Sequence, residues 1–344
     1  MRVAADSIGV MPTTRGASPL AIWSAMASVY VIWGSTYLAI AIAVQTLPPL
    51  FSAGLRFCLA GLVLLAFIAA RRGVRVERAQ LVGASIVGLL LLVGGNGFVV
   101  LAERTVPSGL TALIIASVPL WIVIFRRIAG DRIHLSTFIG VAVGFAGVAF
   151  LVIGRGASGT VDPVGLGLLL VATVSWALGT FLAPRLQLPR DSLLSTGIQQ
   201  LAGGIVLVGL GAVAGEVNHL EPATWSTNSL LAMAYLVVFG SLVAFSAYSW
   251  LLQNAPVSLV ATYAYVNPVV AVLLGALVLA EPITPSIILG AAIIVTAVAF
   301  IVTREGARHV PLTASSDAAR RTAVDRHPAA RRRDRPCPRR RGDR

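Results

Sequence analysis

The chain has 344 residues, of which 57% are hydrophobic and 12% charged, with a mean hydropathy of +0.85 and a formal net charge of +13. This balance excludes an ordinary soluble domain, because apolar runs of about 20 residues recur and each is long enough to cross a hydrocarbon core as a helix. All 27 Lys+Arg residues are arginine, which excludes a Walker A loop and lysine Schiff-base chemistry.

In chain order, the first 19 residues are small and polar and do not form a convincing secretory signal. Spans are expected at 21–44, 49–70, 80–101, 107–128, 134–153, 163–183, 193–214, 228–251, 257–279 and 285–303. The runs are twice the length of barrel strands and do not alternate. The expected fold is therefore an all-α membrane protein of ten transmembrane helices. The arginine-rich tail at 304–344 carries 13 Arg against 5 acidic residues and should be disordered. It reads either as a contact for anionic lipid or as an orientation signal.

The spans are written twice. GLRFCLAGLVLL from Gly54 reappears 143 residues later as GIQQLAGGIVLV from Gly197. ERTVPSGLTALIIASVP from Glu103 aligns with the stretch ending at Pro268, 149 residues on, and the stretch from Asp131 with that from Glu281, 150 residues on. An odd number of spans per copy makes the second copy enter the membrane from the opposite side. Two inverted five-helix repeats result, a pattern of secondary transporters. The expected division is 1–19 as a cytoplasmic N-terminal segment, 20–154 as the first repeat, 160–303 as the second and 304–344 as the tail.

Charge sets the expected orientation. Alternate loops carry Arg71, Arg72, Arg75, Arg78, Arg126, Arg127, Arg132, Arg185 and Arg190, whereas the other loops carry only Arg104 and Arg155. The positive-inside rule makes the first set cytoplasmic, with both termini on that side of the plasma membrane. The arginine bias favours a prokaryotic origin. Cys58 and Cys337 do not fall in a metal-ligand spacing, and the four histidines lie in loops or the tail, so no metal or cofactor is expected.

Several residues inside the spans carry polar chemistry. Trp33 and Thr36 share a helix face three residues apart, and Trp176 stands in the matching place of the second copy. They read as cavity lining or as a packing notch. Arg56 lies seven residues after Pro49, at about 10 Å of helix rise. At that depth a cation either meets an anionic substrate, snorkels, or pairs with Glu103; its counterpart is Gln199. Gly94-Gly95-Asn96-Gly97 thins the third span and permits local unwinding, with Asn96 on the same face as Glu103. Pro119 and Pro268 occupy equivalent places and should kink the fourth and ninth spans as hinges. Ser117, Tyr263, Tyr265 and Asn267 stand just before them. Asp131 and Glu281 are read as caps on the fifth and tenth spans.

The segments WGSTYLAIAIAVQTLPPLFSAGLRFCLAGLVLL, GGNGFVVLAERTVPSGLTALIIASVPLW and VNPVVAVLLGALVLAEPITPSIILGAAIIV, in this order and spacing, resemble the EamA-type family of the drug/metabolite transporter superfamily over residues 20–303. The resemblance implies a central cavity between two repeats and movement of a metabolite, amino acid or toxic compound across the cytoplasmic membrane by alternating access, more often outward. Carried onto this chain, it implies a cavity lined by Trp33, Thr36, Arg56, Asn96, Ser117, Trp176, Tyr263 and Asn267, and the reading of the spans adds Glu103 and Gln199 to these, ten residues in all. Arg126 and Arg127 depart from the family pattern at the end of the fourth span. The expected partners are a small-molecule substrate and membrane lipid, without nucleic acid, and a homodimer is compatible. No nucleophile–base pair or metal cluster suggests an enzyme. A channel, lipid flippase or non-transporting receptor would use the same kind of bundle.

Overall fold

The computed structural model describes residues 18–131, 133, 135–156, 162–255, 257–260 and 262–306. The N-terminal segment, the arginine-rich tail beyond 306, Arg132, His134 and the side chains of Arg155 and Tyr265 lie outside the described residues. The described chain is helical. Helices α1 (Pro19–Ala43), α2 (Pro49–Arg72), α3 (Arg78–Ala102), α4 (Ser108–Ile128), α6 (Pro163–Arg185), α7 (Ser192–Val213) and α8 (Thr227–Asn254) are each long and apolar enough to cross a membrane. Between and after them run α5 (Leu135–Gly156), α9 (Tyr263–Leu279) and α10 (Pro285–Gly306). Their described apolar stretches are shorter, at Leu135–Leu151, Val266–Leu279 and Pro285–Ile301. Large apolar side chains such as Leu62, Val63 and Phe67 of α2 stand about half exposed on the rim of the bundle, a surface suited to lipid.

The helix starts carry caps that satisfy the first free N–H groups. Ser18 accepts from Ala21 N, Asp162 from Val164 N, Asp191 from Leu193 N and Leu194 N, and Ser226 from Ser229 N. Two further starts are capped from distant sequence. Glu216 accepts from Leu50 N at 3.2 Å and Phe51 N at 2.7 Å at the head of α2. Glu281 accepts from Ser108 N, Ser108 Oγ and Gly109 N at 2.8, 2.8 and 3.0 Å at the head of α4. The expectation that Glu281 caps the tenth span is therefore corrected; the expected cap of Asp131 on the fifth falls on a helix start, at Arg132 and His134, outside the described residues. Glu281 serves α4, because the loop before α10 folds back over that helix end, and Asp131 receives Arg126 Nε at 2.9 Å. The arginines at 126 and 127 do not shorten α4, which runs to Ile128.

The two prolines sit differently in their helices. In α4 the helix is interrupted by a turn at Ala116–Ser117, directly before Pro119. In α9 the helix runs on through Pro268. The interruption lies upstream, after the single turn Val257–Val260 and before Tyr263.

Glycines set the closest helix contacts. A Cβ built on Gly54 of α2 would lie 2.6 Å from Val208 N and 2.8 Å from Gly204 O of α7, and one on Gly61 would lie 2.8 Å from Leu201 N and 2.9 Å from Gly197 O. The two helices therefore pack antiparallel with backbones nearly touching. In α5 and α10, Gly140 faces Ile301 and Gly290 faces Leu151. Gly54→Ala should force α2 and α7 apart and lower the melting temperature of the purified protein, at a cost of about 1–3 kcal/mol. Gly209→Ala, where a Cβ would meet nothing within 4 Å, should leave it unchanged or raise it. Glu281→Ala should cost about 1–2 kcal/mol through the uncapped head of α4, read by the same melting measurement.

Candidate functional site

Three of the helices are not uniformly α-wound. Val29–Trp33 in α1, Leu89–Gly97 in α3 and Leu236–Ala244 in α8 are wound as π-helix. The last two segments are nine residues long and 147 positions apart. Wider winding frees backbone groups and redirects side chains, and it recurs at functional sites. The glycine run at 94–97 thus loosens the helix by π winding rather than by unwinding. Gly240 O, inside the α8 segment, accepts from Trp33 Nε1 at 3.4 Å, and Leu90 O in α3 accepts from Ser175 Oγ at 2.8 Å.

Residues of these segments line a small chamber of about 50 Å³, room for no more than a few waters. Its wall includes Trp33, Thr36 and Tyr37 of α1, Arg56 and Phe57 of α2, Gly95 and Asn96 of α3, Trp176 of α6, Gly240 and Phe245 of α8 and Tyr263 of α9. Trp33 meets Trp176 edge-on at 5.5 Å between ring centroids and Tyr263 edge-on at 5.5 Å, and Tyr248 lies 4.7 Å from it. Gly95 makes room for this cluster, since a Cβ there would sit 2.6 Å from the Trp176 ring.

Arg56 is only 4% exposed, so it does not snorkel. No carboxylate lies within ion-pair distance of it among the described residues, so it does not pair with Glu103. Its Nε donates to Ser241 Oγ at 2.7 Å and its guanidinium lies 4.7 Å from the centre of the Phe57 ring. Gln200 Nε2 donates to Ser241 O at 3.1 Å and braces the residue that holds the arginine. A Cβ on Gly240 would lie 2.9 Å from Arg56 Nη2, so this glycine leaves space for the charged end.

Of the residues expected at a cavity, Trp33, Thr36, Arg56, Asn96, Trp176 and Tyr263 come together at the chamber. The Thr36 hydroxyl is already spent on Trp33 O at 2.7 Å. Glu103, Ser117, Gln199 and Asn267 are buried but are not among the chamber's lining residues. Both Glu103 carboxylate oxygens, Ser117 Oγ and Asn267 Oδ1 have no hydrogen-bond partner among the described residues. Gln199 donates to Ser195 Oγ at 3.0 Å and lines a second, more open cavity of about 380 Å³ together with Ala183, Arg190, Ser249 and Gln253. Phe245 faces the chamber and Ser249 the second cavity, and the buried Tyr248 between them places its hydroxyl 3.0 Å from that of Thr180. Ser241 and Tyr248 were not singled out from the sequence; the polar and aromatic run GSLVAFSAYSW in α8 was the available signal. Among the described residues no three His, Cys, Asp or Glu side chains converge as a metal site.

The profile of the EamA-like transporter family matches residues 20–153 and 163–303, most of the chain. The chain belongs to the EamA-like transporter family. An EamA-like relative in Escherichia coli strain K12, the uncharacterized inner membrane transporter YedA, is 42% identical over 257 residues, covering 74% of this chain and 82% of its own length. The uncharacterized transporter YvbV of Bacillus subtilis strain 168 is 27% identical over 87% of this chain and 95% of its own. A probable amino-acid metabolite efflux pump of Escherichia coli strain K12 is 26% identical over 78% of this chain and 90% of its own. A crystal structure matches 84% of this chain and 98% of its own with a TM-score of 0.57 at 22% identity, a likeness of fold. The chain is thus a multi-pass membrane protein of an EamA-like transporter type. Gly95→Ala should displace the Trp176 ring and shift the protein's tryptophan emission, while the helical circular dichroism stays that of the parent.

Proposed function

We propose that this chain is a secondary transporter of ten membrane helices, built as two inverted halves (20–154 and 160–303), that moves a small metabolite, amino acid or toxic compound out across the cytoplasmic membrane by alternating access. The observation that carries this reading is reciprocity of contacts. Gly54 and Gly61 of α2 correspond to Gly197 and Gly204 of α7, and the contacts run crosswise, Gly54 to Gly204 and Gly61 to Gly197. Gly140 and Leu151 of α5 correspond likewise to Gly290 and Ile301 of α10, and Gly140 meets Ile301 while Gly290 meets Leu151. Two patches that exchange partners in this way are the mark of a two-fold relation. Trp33 and its equivalent Trp176 touch each other at the chamber, which supports a binding site on that axis, between the halves.

The second cavity lies beside Arg190, on the loops read as cytoplasmic. The ion pair of Arg72 with Asp191 at 3.2 Å joins two of those loops at one end of the bundle. Glu216 and Glu281 cap helix heads that the same reading assigns to the outer face. Tyr248 would then stand between the site and the cytoplasmic side, and Pro119 with the turn before it would serve as a hinge. Pro268 stays a hinge candidate through the backbone donor it lacks.

The test is uptake and counterflow in proteoliposomes, with compounds drawn from a metabolite and toxicant screen in cells lacking or overproducing the protein. A carrier saturates and shows counterflow; flux that does neither would point to a channel. Arg56→Ala should abolish counterflow while membrane insertion stays at the parent level, and normal flux in that variant would remove Arg56 from the site.

A further inference from the structure

We infer that the chamber is built for a small organic monoanion, a carboxylate carried on a flat apolar body, bound through the free end of Arg56. The inference rests on the chamber being the substrate site and adds the class of substrate. Arg56 is a buried guanidinium with one hydrogen bond among the described residues and the Phe57 ring against its face. Its Nε is occupied by Ser241, whereas its two terminal nitrogens make no hydrogen bond to any described residue. They lie at the chamber wall, beside Gly240, whose missing side chain leaves the approach open. A guanidinium presents its terminal N–H groups as a planar fork that fits a carboxylate with two parallel hydrogen bonds.

The charge balance of the wall selects further. No aspartate or glutamate lines the chamber, and the nearest ion pairs in the described chain, at Arg72 and Arg126, lie elsewhere. A buried cation without a counter-charge is held at a cost that a bound anion removes. A zwitterion would bring its ammonium group into the same low-dielectric space with no carboxylate on the wall to receive it, the buried carboxylate of Glu103 being outside that lining, and a cationic compound would face the arginine directly. The rest of the wall is aromatic: Trp33, Trp176, Phe57, Phe245 and Tyr263. Ring edges and faces at these spacings suit a flat apolar group. Because the chamber has room for only a few waters, the ligand occupies a wider form of the site, in which the π-wound segments that frame it have moved apart.

The probe is radiolabelled benzoate, bound to the purified full-length protein in lipid nanodiscs, with benzamide, phenylalanine and benzylammonium as competitors. Saturable benzoate binding is expected, and benzamide and phenylalanine should compete at least about tenfold less well. Arg56→Gln should lower benzoate affinity about tenfold or more. Gly240→Ala, which keeps the charge but places a methyl group against Nη2, should lower it several-fold and serves as the second variant if Arg56→Gln does not fold. Three results would each overturn the inference: no saturable benzoate binding by monodisperse parent protein; equal competition by benzamide or phenylalanine; or unchanged benzoate affinity in the folded variants. Counterflow separates this from the transporter reading. Saturable counterflow of a zwitterion or cation alone would sink the anion assignment and leave the transporter standing, whereas benzoate binding without any saturable flux would do the reverse.

Discussion

Inside hydrocarbon, burying an apolar side chain against another helix gains nothing over burying it in lipid, so helices hold together by close packing and interhelical hydrogen bonds. The contact between α2 and α7 meets that constraint most fully. Gly54, Gly61, Gly197 and Gly204 let two backbones approach until a single added carbon would collide with main-chain atoms. Everything near the chamber hangs on this crossing. Arg56 follows Gly54 by two residues on α2, and Gln199 and Gln200 follow Gly197 on α7. The crossing brings the arginine and Gln200 to the same residue of α8, Ser241, which receives the first through its hydroxyl and the second through its carbonyl.

Much of this architecture was legible in the sequence because the bilayer makes length and hydropathy speak directly. The seven long helices fall where apolar runs predict them, and the family pattern follows from segments whose order is preserved. Six of the ten expected cavity residues converge on one chamber, since an aromatic, amide or charge in mid-span has few places to go. The errors have a common physical source. Glu281 was read against the helix that follows it, but its carboxylate reaches the head of α4, some 170 positions away in the chain, and no local rule reports such a contact. Gln199 was chosen by its alignment with Arg56, yet its neighbour Gln200 faces Ser241, because successive residues on a helix point about 100° apart. Glu103, Ser117 and Asn267 are polar and buried, as expected, but buried against other helices.

The aromatic cluster and the arginine divide the chamber into two kinds of surface. Trp33, Trp176, Tyr248 and Tyr263 form a chain of ring contacts joining α1, α6, α8 and α9. A cluster of this kind is rigid within each helix and adjustable between them, since edge-to-face contacts tolerate changes of tilt. Arg56, in contrast, is fixed by a directional hydrogen bond to Ser241 and by Phe57 beneath it. The polar anchor therefore comes from a defined place on the α2–α7 crossing, and most of the apolar wall comes from the other helices around it.

The two nine-residue π segments give those helices a particular freedom. A π winding stores one residue more than the α turns around it. If the stored residue passes along α3 or α8, the stretch it crosses turns by roughly 100° and slides by about 1.5 Å per step, while both helix ends stay where their caps and loops hold them. Gly95, Asn96, Gly240 and Ser241 all lie within the segments concerned. The composition of the chamber wall can thus be exchanged by a travelling dislocation in the helix, without the helix having to tilt as a whole.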